Sequence, residues 1–235
     1  MTPHVLLAIK PTRILILGLL AGCGSVPEAT GPSAPPDASS GGLSLQPCTY
    51  TAREVDYSAR CGWLTVPENR SAPDSRLIHL PVTRVEALDE ASLEPIYHLA
   101  GGPGQSNLGF SRLEGLIDRH DVVMVGYRGV DGPVRLECPE YVELLSNPPA
   151  AVLSPQTFDA TADAIRRCAE RHSAAGVDLD GYTVTETVDD LEAARQAFGD
   201  ERVNTLSQSY GTRLAMIWGW LSPSSIHRSA MISVN

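Results

Sequence analysis

The residues with the clearest chemical potential are Ser207-Gln208-Ser209-Tyr210-Gly211, between the apolar run Val203–Leu206 and the helix-forming stretch Thr212–Ala215. A serine with small residues two positions before and two after predicts a sharp strand-to-helix turn. Such a turn lifts the Ser209 hydroxyl to the carboxyl edge of a sheet as a nucleophile. The following helix aims its N-terminus at that point, so the N–H of Tyr210 can hold a developing oxyanion. Glycine is usual where this chain has Ser207. The short pattern gains weight from a second one earlier in the chain. Gly101-Gly102-Pro103-Gly104 follows the apolar stretch Pro95–Ala100, and a glycine turn lets backbone N–H groups of Gly101 and Gly102 approach an oxyanion unobstructed. The missing Gly-Lys-Ser/Thr ending excludes a phosphate loop. A glycine loop before an elbow strand is the order expected of an oxyanion loop and its nucleophile.

These two motifs need strands to carry them. Residues 60–67 and 77–82 read as two strands joined by a polar turn around Pro73-Asp74-Ser75, with Pro81 best suited to a sheet edge. Residues 95–100 and 122–125 are short apolar runs of the kind found in buried parallel strands. A helix is predicted over 155–175, with Phe158, Ile165, Cys168 and Ala169 at helical spacing. A second helix opens at Thr187 as N-cap, with Val188, Leu191, Ala194 and Phe198 as its apolar stripe and Gly199 as its stop. On this reading Asp189 and Asp190 are cap and solvated charges. The helix after the elbow ends before Pro223, and residues 229–234 form a last strand. Strands alternating with helices predict an α/β class with a mostly parallel sheet and crossover helices.

Composition narrows the partners. The chain has 235 residues, 43 % of them hydrophobic, with 18 Lys+Arg against 28 Asp+Glu. That suffices for one good core and disfavours a basic nucleic-acid surface. Lys10 and Arg13 precede an apolar run, and Leu20-Ala21-Gly22-Cys23 matches a bacterial lipobox. Residues 1–23 are therefore expected to be a lipoprotein signal peptide, with acylation at Cys23 anchoring the protein outside the cytoplasm. Without acylation the chain would be secreted. Residues 24–46, rich in Pro, Ser, Gly and Ala, are expected to be a flexible tether, and 47–235 the folded part. Cys48, Cys61, Cys138 and Cys168 remain, an even number suited to disulfides in an exported chain. Of the three pairings, Cys48–Cys61 and Cys138–Cys168 are favoured because each closes a modest local loop. No C-x-x-C or histidine spacing points to a metal, and no cofactor is implied.

Several motifs in order resemble the N-terminal half of secreted α/β-hydrolases of the prolyl aminopeptidase and tripeptidyl aminopeptidase group (peptidase family S33). They are Gly101-Gly102-Pro103-Gly104, residues 121–129 ending in Tyr127-Arg128-Gly129, residues 176–180 with Tyr182, and residues 207–213. The resemblance implies Ser209 as nucleophile and an oxyanion hole from Tyr210 and the Gly101-Gly102 backbone. It also implies release of short N-terminal pieces from peptides, or hydrolysis of similar small amides and esters. Many relatives have Asp-Gln where this chain has Gly126-Tyr127.

The triad order in this fold is Ser, then Asp or Glu, then His. After Ser209 the sequence has no acid, and its one histidine, His227, is expected at the opposite end of the sheet. The expectation is therefore a hydrolase domain cut after the strand that follows the nucleophile helix, catalytically incomplete unless a complementing C-terminal half supplies Asp and His. The alternatives are a surface lipoprotein that keeps the fold for binding, and an esterase of the same fold.

Overall fold

The computed structural model describes residues 42–235. The predicted leader and Cys23 lie outside them, as does all of the expected tether except its last residues. Among the described residues no helix is long and apolar enough to cross a membrane.

Seven strands form one sheet in the order β1-β2-β3-β5-β4-β6-β7, with β1 Leu43–Ala52, β2 Val55–Pro67, β3 Leu77–Val85, β4 Leu93–Leu99, β5 His120–Val125, β6 Val203–Gln208 and β7 Ile226–Ile232. The first three and β5 pair antiparallel in turn, while β5, β4, β6 and β7 pair parallel. Strands β2, β4, β5, β6 and β7 thus run one way. This is the expected α/β-hydrolase arrangement of a mostly parallel sheet with crossover helices. The chain steps from β4 outward to β5, then crosses back to place β6 on the other side of β4. That reversal opens a crevice beyond the carboxyl ends of β4 and β6, where ligands bind in open α/β sheets.

One strand was not anticipated. β1 pairs Leu43 with Leu64 and Gln46 with Cys61, so residues 43–46, assigned to the tether, belong to the sheet. The β1–β2 turn places Arg53 and Glu54 at φ 49° and 65°, as a two-residue turn of the I′ kind requires. Pro81 lies in an interior strand and not at an edge. β3 pairs with β5 only from Val82 to Val85, so Pro81 sits just past that ladder.

Among the described residues four α-helices accompany the sheet: α1 Pro139–Ser146, α2 Pro155–Ala174, α3 Val184–Phe198 and α4 Tyr210–Leu221. α3 starts earlier than expected because Thr183, not Thr187, is its N-cap and accepts the Glu186 N–H at 3.2 Å. The T-x-x-E spacing of Thr183 and Glu186 favours that start. Gly199 ends α3 at φ 75° as predicted. In α2 the buried residues are Thr157, Ala164, Cys168 and His172, while Phe158 and Ile165 are exposed. Both expected disulfides are present, Cys48–Cys61 across the β1–β2 hairpin and Cys138–Cys168 between the start of α1 and α2, with Cα separations of 5.8 and 5.4 Å.

Two apolar layers cover the sheet. One includes Leu64, Leu80, Tyr97, Leu99 and Val123 with Val188 and Leu191 of α3 and Leu214 and Trp218 of α4. The other packs Ile96, Val122 and Met124 under Phe110, Leu113 and Ile117. Sheet and helices are thereby fixed around the ends of β4 and β6.

Candidate active site

Ser209 stands between β6 and α4 with φ 48° and ψ −120°. A non-glycine residue rarely adopts this conformation, and such strain persists only where neighbours over-determine it. Here they do. The Ser209 N–H donates to Ile232 O of β7 at 2.9 Å, and its carbonyl accepts from the Thr212 N–H at 2.8 Å and Oγ1 at 2.6 Å. A Cβ at Gly211 would fall on the Leu99 carbonyl and within 2.7 Å of Ala100 O. Only glycine there lets α4 begin so close under β4. Ser207 is buried and its hydroxyl donates to Ala230 O at 3.2 Å, so the residue replacing the usual glycine is satisfied within the sheet.

Among the described residues the Ser209 hydroxyl has no hydrogen-bond partner and does not cap its own helix. The N–H groups of Tyr210 and Gly211 lie in the first turn of α4, where donors have no intrahelical acceptor. Directly opposite lies the glycine loop. A Cβ at Gly101 would approach Ser209 Cβ at 3.2 Å and Gln208 O at 3.1 Å, and Gly102 takes φ 49°. The structure thus brings Gly101, Gly102, Ser209 and Tyr210 together at the crevice. Tyr127 joins them: its ring meets that of Tyr210 edge-on at 6.4 Å, and its hydroxyl donates to Ala100 O at 3.3 Å. Burial pushes the Tyr127 phenol far up, so it acts there as a neutral donor.

His227 is not part of this group. It lies at the start of β7, with Nδ1 3.0 Å from Glu94 Oε1 at the start of β4. Ile232, which bonds Ser209, is five residues further along, about 16 Å at the usual strand rise. His98, on β4 beside β6, is 8 % exposed and stacks on Phe110 at 4.4 Å. Burial lowers it to about 4 despite a bond to the Leu206 backbone, and its Nδ1 has no partner.

The motif Tyr127-Arg128-Gly129 serves a buried ionic centre. Arg128 is 5 % exposed. It donates to both oxygens of Asp190 at 2.6 Å, to Glu68 O at 2.6 Å and to the carbonyls of Gly181 and Pro67. Arg70 reaches Asp190 at 2.7 Å and Glu186 at 2.5 Å. Asp190 is therefore not a solvated flank charge. With α3 starting at Val184, it falls in the second turn facing Arg128. The apolar stripe found in the sequence could not reveal this, because the partner lies 62 residues away.

Among the described residues, Cys138, Cys168 and His172 form one group close enough to ligate a metal. Their two sulfurs are joined in the disulfide.

The chain is similar to tripeptidyl aminopeptidases from Streptomyces lividans and from Streptomyces coelicolor, in each case 29 % identical over 191 residues. The match covers 74 % of this chain and 35 % of each relative, so the chain spans about a third of their length. No family model matches it. Among solved structures it is similar to an α/β hydrolase from Novosphingobium aromaticivorans (TM-score 0.42, 16 % identity, 74 % of this chain and 43 % of that one). It is also similar to Cfl2 from Burkholderia cenocepacia (TM-score 0.48, 16 % identity, 81 % and 46 %).

Proposed function

We propose that this chain carries the nucleophile and oxyanion hole of a serine hydrolase that releases short N-terminal pieces from peptides. The carrying observation is the strained Ser209 turn, set against Gly101 with its hydroxyl uncommitted. In this reading Ser209 Oγ attacks the scissile carbonyl while the Tyr210 N–H and the Gly101-Gly102 backbone hold the resulting oxyanion. Collapse expels the amine and leaves an acyl-enzyme that water then cleaves. A base must take the serine proton, and no histidine among the described residues stands beside Ser209. The proposal therefore assigns the acid and histidine to polypeptide beyond this stretch, in the same protein or in a complementing one. Similarity to tripeptidyl aminopeptidases favours peptides over other amides and esters. Acylation of Cys23 would hold the protein on the outer face of a membrane.

The lack of a base beside Ser209 among the described residues leaves a second reading, a surface lipoprotein that keeps the fold for binding. A fluorophosphonate probe separates the two. Labelling of the mature chain that disappears in Ser209→Ala supports the hydrolase. Absence of labelling in a folded chain, even with the cognate C-terminal polypeptide added, favours the binding protein.

A further inference from the structure

We infer that Asn107 is the positioning residue of the glycine loop, holding Gly101 and Gly102 in place against Ser209. This rests on the reading of that loop as an oxyanion hole. Residues 103–106 are exposed, and Gly102 and Gly104 adopt φ 49° and 87°. A loop of that composition has a wide choice of conformations, yet donors to an oxyanion must be held to within about half an ångström. Something has to fasten its two ends.

Asn107 does so with one side chain, 0 % exposed. Its Oδ1 accepts the Ala100 N–H at 2.7 Å, which closes the loop immediately before Gly101. Its Nδ2 donates to His98 O at 3.0 Å and to Val125 O at 2.8 Å. Both carbonyls lie past Tyr97–Val123, the last pair of the β4–β5 ladder. The amide therefore replaces the ladder where the two strands separate, and uses three of its four hydrogen-bonding positions. Asp131 fixes Asn107 in turn, because its Oδ2 accepts the N–H of Asn107 at 3.0 Å and that of Tyr127 at 2.9 Å. Tyr127 then holds the Ala100 carbonyl from the other side. Ala100 is gripped through both its N–H and its oxygen, and the next two residues inherit that placement.

The test is Asn107→Ala in the full chain, read by amide hydrogen exchange and by the rate of fluorophosphonate labelling. Exchange should rise at least tenfold at Ala100–Gly102 and stay unchanged in β6 and α4. The limiting labelling rate should fall about a hundredfold, as for loss of an oxyanion donor, with little change in the half-saturating probe concentration. Exchange that is unchanged at Ala100–Gly102, or that rises equally through β4, β5 and β6, overturns the assignment. Should Asn107→Ala not fold, Tyr127→Phe decides, with a smaller loosening expected at the same residues and no change there refuting it. If wild-type Ser209 does not label even with the complementing C-terminal polypeptide added, the nucleophile reading is what fails, and the exchange pattern still judges Asn107.

Discussion

Replacing Ser209 with glycine should make this protein more stable than replacing it with alanine. At φ 48° and ψ −120° Ser209 is in a region that L-residues avoid, and such a residue costs about 1–3 kcal/mol. Ser209→Ala keeps the Cβ and hence the strain. It also removes a hydroxyl that bonds nothing among the described residues, so its effect should stay within about 0.5 kcal/mol. Ser209→Gly relieves the strain but gives the unfolded chain more freedom, worth about 0.5–1 kcal/mol in the opposite sense. The Cβ it deletes faces Gly101, and each such contact is worth about 0.1–0.2 kcal/mol. The glycine variant should therefore exceed the alanine variant by roughly 1 kcal/mol. Urea unfolding measures this as a higher midpoint at unchanged slope. A glycine variant equal to or weaker than the alanine variant would refute the claim that the turn is strained.

Two further outcomes follow from buried groups. Burial depresses His98 to about 4 from an ordinary 6.5, so between those values the unfolded chain binds the proton and the native one does not. Stability should fall as pH drops through that window, by at most about 3 kcal/mol. His98→Gln should flatten the urea midpoint between pH 7 and 4.5, and an unchanged slope would assign the acid sensitivity elsewhere. Arg128→Met removes the bidentate partner of Asp190 and the donor to three carbonyls, and should cost about 3–5 kcal/mol. Arg128→Lys should recover little, since a point charge cannot serve that planar array. Wild-type stability in the lysine variant would contradict the geometry.

What could be read from the sequence was local. The elbow, the glycine loop, the stop at Gly199 and the two short-loop disulfides each depend on residues close together in the chain, and each is found in the structure. β1 escaped because its turn places Arg53 and Glu54 at positive φ, where the recognisable hairpin signal is Asn-Gly or Asp-Gly. The start of α3 was misplaced although Thr183 and Glu186 have capping-box spacing, because Thr187 offered a competing cap nearer the apolar stripe. Asp190 and Asn107 were illegible for another reason. A buried polar group declares itself only through its partners, and those of Asp190 lie on the loops after β2 and β5, while Asn107 answers to carbonyls on β4 and β5.

The same division governs what reactivity can say about Ser209. Among the described residues its backbone is fixed by the Ile232 carbonyl, Thr212, and the close approach of Gly101 and Gly211. Nothing in that set takes a proton from the hydroxyl. Posture and reactivity are thus separate physical properties, the first set by sheet packing and the second by a base. A serine held in the strained conformation but slow to label would mean that the base is elsewhere, not that the turn is unsuited to a nucleophile. The stability difference between the glycine and alanine variants reads posture alone, with no substrate and no base required. If that difference is present while labelling is absent, adding the proposed complementing polypeptide becomes the decisive step. Labelling that appears only then would assign the missing proton acceptor to that polypeptide.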